Sequence, residues 1–157
     1  MSFEKDVFRN TGLKVDFAGH PLVDEAEKVM SEKPADLPWS GMPHVALLPG
    51  SRTHVILNIL PAMWEAAKLI EQKHPSASFI IPAPTQQAEK TVRAIISTLP
   101  AGPSRWNVVT GNTRHVLRQA TAAMVASGTA TIETSFMECP MVVVYKTSFT
   151  TYLMGKL

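Results

Sequence analysis

Two short segments carry most of the residues that could do chemistry. One is Pro49-Gly50-Ser51-Arg52; the other is Ser127-Gly128-Thr129-Ala130, with Glu133 one helical turn further on. The second reads as a helix N-terminus. Ser127 or Thr129 is expected to cap it, because a side-chain oxygen accepts from an otherwise unpaired backbone N–H. Gly128 lets a ligand approach the backbone. Bare N–H groups and the helix dipole favour an anion there, typically a phosphate. Glu133 is badly placed for phosphate but suited to accept from a vicinal diol, as acidic groups do with nucleotide ribose. Arg52 offers a planar fork for phosphate oxygens, and Gly50 and Ser51 offer further donors. Together these residues suit a nucleoside diphosphate of the kind a sugar nucleotide carries. A Ser-Gly-Thr helix start binds nothing by itself, and a lone Arg or Glu is ordinarily a solvated charge. The argument rests on their conjunction.

Other chemistries find less support. Neither a G-x-x-x-x-G-K-[ST] loop nor a G-x-G-x-x-G fingerprint occurs, which disfavours P-loop hydrolysis and ordinary dinucleotide binding. No G-x-S-x-G elbow occurs, so a serine hydrolase is unsupported. The histidines (20, 44, 54, 74 and 115) lack metal-ligand spacing, and with one cysteine there is no zinc cluster. No metal and no cofactor is expected. Cys139 reads as a small buried apolar residue before Pro140, and Trp39, Trp64 and Trp106 read as packing. His20, in "GHP" just ahead of a proline-rich stretch, stays as a candidate for a domain cleft.

The elements that must position these residues follow from periodicity. "LKVDFAG" (13–19) reads as a strand, and "HPLVDEAEKVM" as a helix with Leu22, Ala26 and Val29 on one side. "EKPADLPWSGMP" is a linker or domain edge. From His44 the pattern alternates regularly. The strands are "HVALLPG", "SASFIIP", "RWNVVTG", "AAMVAS" and "PMVVVYK". The intervening helices are "VILNILPAMWEAAKLIEQKHP", "TQQAEKTVRAIISTLP", "TRHVLRQAT" and "TATIETSFMEC"; "SFTTYLMGKL" opens another. Pro61 implies a kink in the first of these helices, or a start later than Val55. Near-continuous apolar strands alternating with helices imply an α/β fold: a Rossmann-like parallel sheet with helices on both faces. In such sheets ligands bind beyond the C-terminal ends of the strands, near the switch in strand order. If the first and fourth of these strands are neighbours, as in the order 3-2-1-4-5, the two chemical segments face one crevice.

Composition sets outer limits. The 157 residues suffice for one ordinary domain with a real core, and 45% hydrophobic against 18% charged content argues for a packed globule. A formal net charge of +2, with basic residues scattered, gives no case for nucleic acid as a partner. A single cysteine excludes an internal disulfide and fits a reducing compartment. The N-terminal "MSFEKDVFRN" lacks the apolar region of a signal peptide, and no apolar run approaches the roughly 20 residues of a membrane span.

"FAGHPLVDE", "VALLPGSR", "MVASGTATIE" and "PMVVVYK", in this order and spacing, resemble lipid-A-disaccharide synthase, a glycosyltransferase of two-domain GT-B architecture. The resemblance covers essentially the whole chain. It implies transfer of 2,3-diacylglucosamine from its UDP donor to lipid X (2,3-diacylglucosamine 1-phosphate), giving a β-1,6 disaccharide and UDP without a metal. It implies that Arg52 and the Ser127-Gly128-Thr129-Ala130 start hold the departing diphosphate and that Glu133 holds the uridine ribose. It further implies that residues 1–33 are the tail of an N-terminal acceptor domain, 34–43 a linker, and 44–157 the C-terminal, UDP-sugar-binding half, truncated at its end. The acceptor site and catalytic base are then expected on the missing half. The chain is expected to bind UDP weakly and not to turn over alone, in the cytoplasm, with peripheral contact at the inner membrane surface. Two positions depart from the family pattern: Val55 stands where a Glu is usual, and Thr121 where an Asp is usual. The alternatives are a non-catalytic UDP-sugar-binding module and a related enzyme such as a UDP-sugar 2-epimerase.

Overall fold

The structure, a computed structural model, describes residues 7–8, 11–14, 16 and 19–146. The strand expected over 13–19 falls partly outside them, and the described members of that stretch are not in a strand. The helix expected from Ser148 lies wholly outside them.

The first helix whose bounds are described is α1 (Pro21–Ser31), followed by an extended stretch to Pro43. The chain then alternates β1 (His44–Leu48), α2 (Thr53–Lys73), β2 (Ser78–Ala83), α3 (Gln86–Ile96), β3 (Trp106–Thr110), α4 (Thr113–Gln119), β4 (Ala122–Ala126), α5 (Thr129–Phe136) and β5 (Met141–Val144). All strand pairs are parallel, in the order β3-β2-β1-β4-β5. The chain winds outward from β1 to β3, then crosses back to place β4 on the other side of β1. That reversal opens a crevice between the loops leaving β1 and β4.

Alternation along the strands divides the core in two. Val45, Leu47, Phe79, Ile81, Met124 and Ala126 point to one face and pack under α2 and α3. Ala46, Leu48, Ile80, Ala123 and Val125 point to the other, under α1, α4 and the segment around Met137 and Cys139. With both faces covered, the strands carry no polar alternation, which is why they read as continuous apolar runs.

Of the two readings of Pro61, the later helix start is corrected: α2 begins at Thr53, ahead of Val55, and stays helical through the proline to Lys73. A helix-interior proline costs about 3 kcal/mol. Against that, α2 buries Ile56, Ile59, Leu60, Met63 and Trp64, each contributing roughly 1.5–3 kcal/mol. Tertiary burial therefore outweighs the local penalty. Trp64 also meets Trp106 edge-on, with ring centroids 5.1 Å apart, and its Nε1 donates to the Pro100 carbonyl at 3.2 Å.

The stretch ahead of β1 is fastened to the sheet domain. Arg118 of α4 donates to the carbonyls of Val29 and Glu32 at 2.6 and 2.7 Å. Gln119 reaches the Ala35 carbonyl at 2.8 Å, and Asn107 the Pro38 carbonyl at 2.9 Å. Trp39 stacks on His44 with centroids 4.3 Å apart.

Candidate nucleotide site

The register of β1 on β4 pairs Leu48 with Val125. Both strands therefore end at the same level, and the loops after them leave the sheet side by side. In the first loop, Gly50 has φ +102°, and a Cβ there would stand 2.8 Å from Val55 Cγ1. Backbone sterics and a neighbouring side chain both demand glycine. The turn delivers Arg52 to the N-cap position of α2, where no side chain caps the helix and no acidic residue occupies its first turn. Val55 packs against Gly50 and lines the pocket, adding no charge.

In the second loop Gly128 is the N-cap of α5, with φ +147°. Here the structure corrects the sequence reading: neither Ser127 nor Thr129 caps the helix. The cap position falls on a residue with no side chain, and Thr129 is already helical. Ser127 is tied the other way, its N–H donating to the Val144 carbonyl of β5 at 3.0 Å. Thr131 Oγ1 donates to the Gly128 carbonyl at 2.7 Å, so that hydroxyl points to the backbone oxygen as well. Since the first amides of a helix have no intrahelical acceptor, two uncapped helix starts present N–H groups to the crevice.

Between the loops lies an open cavity of about 490 Å³. Gly50, Ser51, Arg52, Ser127, Gly128, Thr129, Ala130 and Glu133 all line it. Leu48, Val55 and Ala126 line it too, and Pro82 and Pro84 at the end of β2 and Thr113 at the start of α4 extend it along the sheet edge. Arg52 and Glu133 supply its side-chain charges. His20 does not line it. Its Nδ1 accepts from the Leu22 N–H at 3.2 Å as the cap of α1, and its ring lies 5.6 Å from that of Phe136. Thr121 is also remote, at the opposite end of the strands. Its Oγ1 accepts from the His44 N–H at 3.2 Å, and its own N–H donates to the His44 carbonyl at 2.8 Å. Among the described residues no group of three or more His, Cys, Asp or Glu is placed to hold a metal ion.

One residue of the site was not legible beforehand. Arg114, in the first turn of α4, places Nε 2.9 Å from Glu133 Oε1 and extends its other arm to the Glu25 carboxylate of α1. These partners lie far apart in the chain. The readable signal was only that an Arg two residues past Asn112, after β3, belongs to the same sheet edge.

The sequence profile of one family, described as lipid-A-disaccharide synthetase, matches residues 1–157. The lipid-A-disaccharide synthase of Syntrophus aciditrophicus is 34% identical over 161 residues, covering 100% of this chain and 41% of that protein. That of Coxiella burnetii is 33% identical over 157 residues, covering 98% of this chain and 40% of its own. The chain thus spans about two fifths of the length of these relatives. Among solved structures, a glycosyl transferase family 9 protein from Veillonella parvula is similar at 13% identity and a TM-score of 0.49, over 88% of this chain and 39% of that one. On the match along its entire length, the chain belongs to the lipid-A-disaccharide synthetase family.

Proposed function

We propose that these residues are the donor-binding part of a lipid-A-disaccharide synthase of GT-B architecture. The whole enzyme transfers 2,3-diacylglucosamine from its UDP donor to lipid X and releases UDP. The observation that carries this reading is the single cavity lined by Arg52, the Gly128 helix start and Glu133. The diphosphate lies between the two helix starts, with Arg52 on its oxygens, and the ribose diol donates to Glu133. In the reaction the bond from the anomeric carbon to the β-phosphate oxygen breaks, and the acceptor 6-hydroxyl forms the new one. Negative charge grows on the departing UDP. Donors already fixed at that position lower the barrier without reorganising, which is the largest lever such a site has. Arg52 and the amides take the role that a cation plays elsewhere.

The acceptor pocket and the base that removes the hydroxyl proton belong, in this reading, to the part of the relatives that this chain does not span. Residues 1–33 are the tail of that acceptor part, 34–43 the crossing, and 44–157 the donor domain. His20, which caps α1, belongs in this reading to the cleft between the acceptor and donor parts. The lipid substrates place the enzyme in the cytoplasm at the inner membrane surface. No described helix is long and apolar enough to cross a membrane. A UDP-sugar 2-epimerase would need an acid and a base at the sugar, whereas the cavity's ionisable lining is Arg52 and Glu133.

Calorimetry tests the reading. UDP is expected to bind the 157-residue chain, lipid X alone is not, and Arg52→Met is expected to weaken UDP by roughly 10–100-fold, the worth of one or two charge-assisted hydrogen bonds. Unchanged UDP affinity in Arg52→Met, or disaccharide formed in a single turnover by the isolated chain, would overturn it.

A further inference from the structure

We propose that Arg114 is a positioning residue for Glu133, holding that carboxylate in place as an unoccupied acceptor for the ribose diol of the bound nucleotide. The inference rests on the reading of Glu133 given above.

Three observations support it. Arg114 Nε is 2.9 Å from Glu133 Oε1, yet its N–H is not directed at that oxygen, so the contact is between charges and not an aligned hydrogen bond. No other donor among the described residues is aligned on the Glu133 carboxylate. A carboxylate with about four lone-pair positions, its side chain only 22% exposed and facing a cavity, therefore retains its accepting capacity. The other arm of Arg114 is engaged by Glu25 of α1, so the guanidinium is held between two carboxylates, away from the phosphate position. Without Arg114 the carboxylate would lose its fixed direction.

The test compares UDP with 2′,3′-dideoxy-UDP on the full chain, by calorimetry, for the parent, Arg114→Met and Arg114→Gln. Arg114→Gln keeps polar bulk between the two carboxylates should the Met variant fail to fold. The parent is expected to prefer UDP by roughly tenfold, the worth of a hydrogen bond to a charged group. Both variants are expected to lose that preference, with dideoxy-UDP affinity changing less than about twofold, whereas loosened packing would weaken both nucleotides. Glu133→Gln is expected to abolish the preference too, and adding Arg114→Met to it to change the ratio no further. A parallel fall for both nucleotides assigns Arg114 to the packing of α1, α4 and α5 and overturns the proposal. A preference kept in both variants overturns it as well, while leaving Glu133 as the ribose acceptor. A parent without any preference removes the ribose reading of Glu133 and this inference together.

Discussion

Replacing Gly50 by Ala tests the first loop at the point where the geometry is most demanding. The residue lies at φ +102°, and the new Cβ would meet Val55 Cγ1 at 2.8 Å. Holding a side chain in that backbone region costs about 1–3 kcal/mol. The steric contact adds about 0.5–1.5 kcal/mol, because Val55 sits in a helix, where its χ1 has one favoured setting and yields only by leaving it. The sum, about 1.5–4.5 kcal/mol, lowers the melting temperature by roughly 3–18 °C for a chain of this length. Differential scanning calorimetry reads it directly. Val55→Ala, added as a second change, removes the Cγ1 atom. It is expected to restore the steric share and leave the backbone share in place. UDP affinity is expected to fall about tenfold in Gly50→Ala, since the loop that carries Arg52 moves. A melting point within about 1 °C of the parent, or full rescue by Val55→Ala, would refute the reasoning, because the first denies the strain and the second denies its backbone part.

Two further predictions concern ionisable groups away from the cavity. Burial pushes the Cys139 thiol above its ordinary range, so the native protein is expected to react with iodoacetamide far more slowly than the urea-unfolded chain. Mass spectrometry of the timed reaction checks this, and equal rates would contradict it. Hydrogen bonds from the hydroxyl and then the N–H of Ser104, which outweigh a smaller opposing effect of burial, hold Glu71 below its ordinary value of 4.5. A depressed carboxylate stabilises the fold above its unfolded value and stops doing so as pH falls through the folded one. The parent is therefore expected to melt above Glu71→Gln at neutral pH, and the gap to close as pH falls below 4.5. The group is in part exposed to solvent, which screens it, so the gap is small, and a gap that widens in acid would contradict the assignment.

The sheet was legible because each strand is a short apolar run bounded by Gly, Pro or a polar cluster, and because a parallel sheet buried on both faces erases the alternation that would otherwise complicate the pattern. The two chemical loops were legible for a related reason. Once β1 and β4 are neighbours, topology alone carries Arg52 and Gly128 to one edge. What sequence did not disclose depended on side-chain direction. Ser127 and Thr129 have the right composition for a cap, but the backbone gives the cap position to Gly128, and the Ser127 N–H is spent on β5. Pro61 reads locally as a break, yet the buried face of α2 outweighs it. The bridge from Glu25 through Arg114 to Glu133 joins three helices and leaves no periodic trace in the chain.

Edge strand β5 shows Val142 and Val143 largely exposed. The relatives are more than twice as long as this chain, and exposed apolar strands of this kind promote association when left uncovered. Binding experiments on the chain therefore belong at low protein concentration, with oligomeric state monitored alongside.

The central claim is that one crevice gathers a guanidinium and bare helix-start amides around a nucleoside diphosphate. Titrating UDP into ¹⁵N-labelled protein and following the amide resonances tests it most directly. Saturable shifts are expected at Ser51, Arg52, Thr53, Gly128, Thr129 and Ala130, moved together to roughly 10–100-fold higher UDP concentration in Arg52→Met. Shifts confined to other parts of the sheet, or none at nucleotide concentrations in the millimolar range, would contradict it.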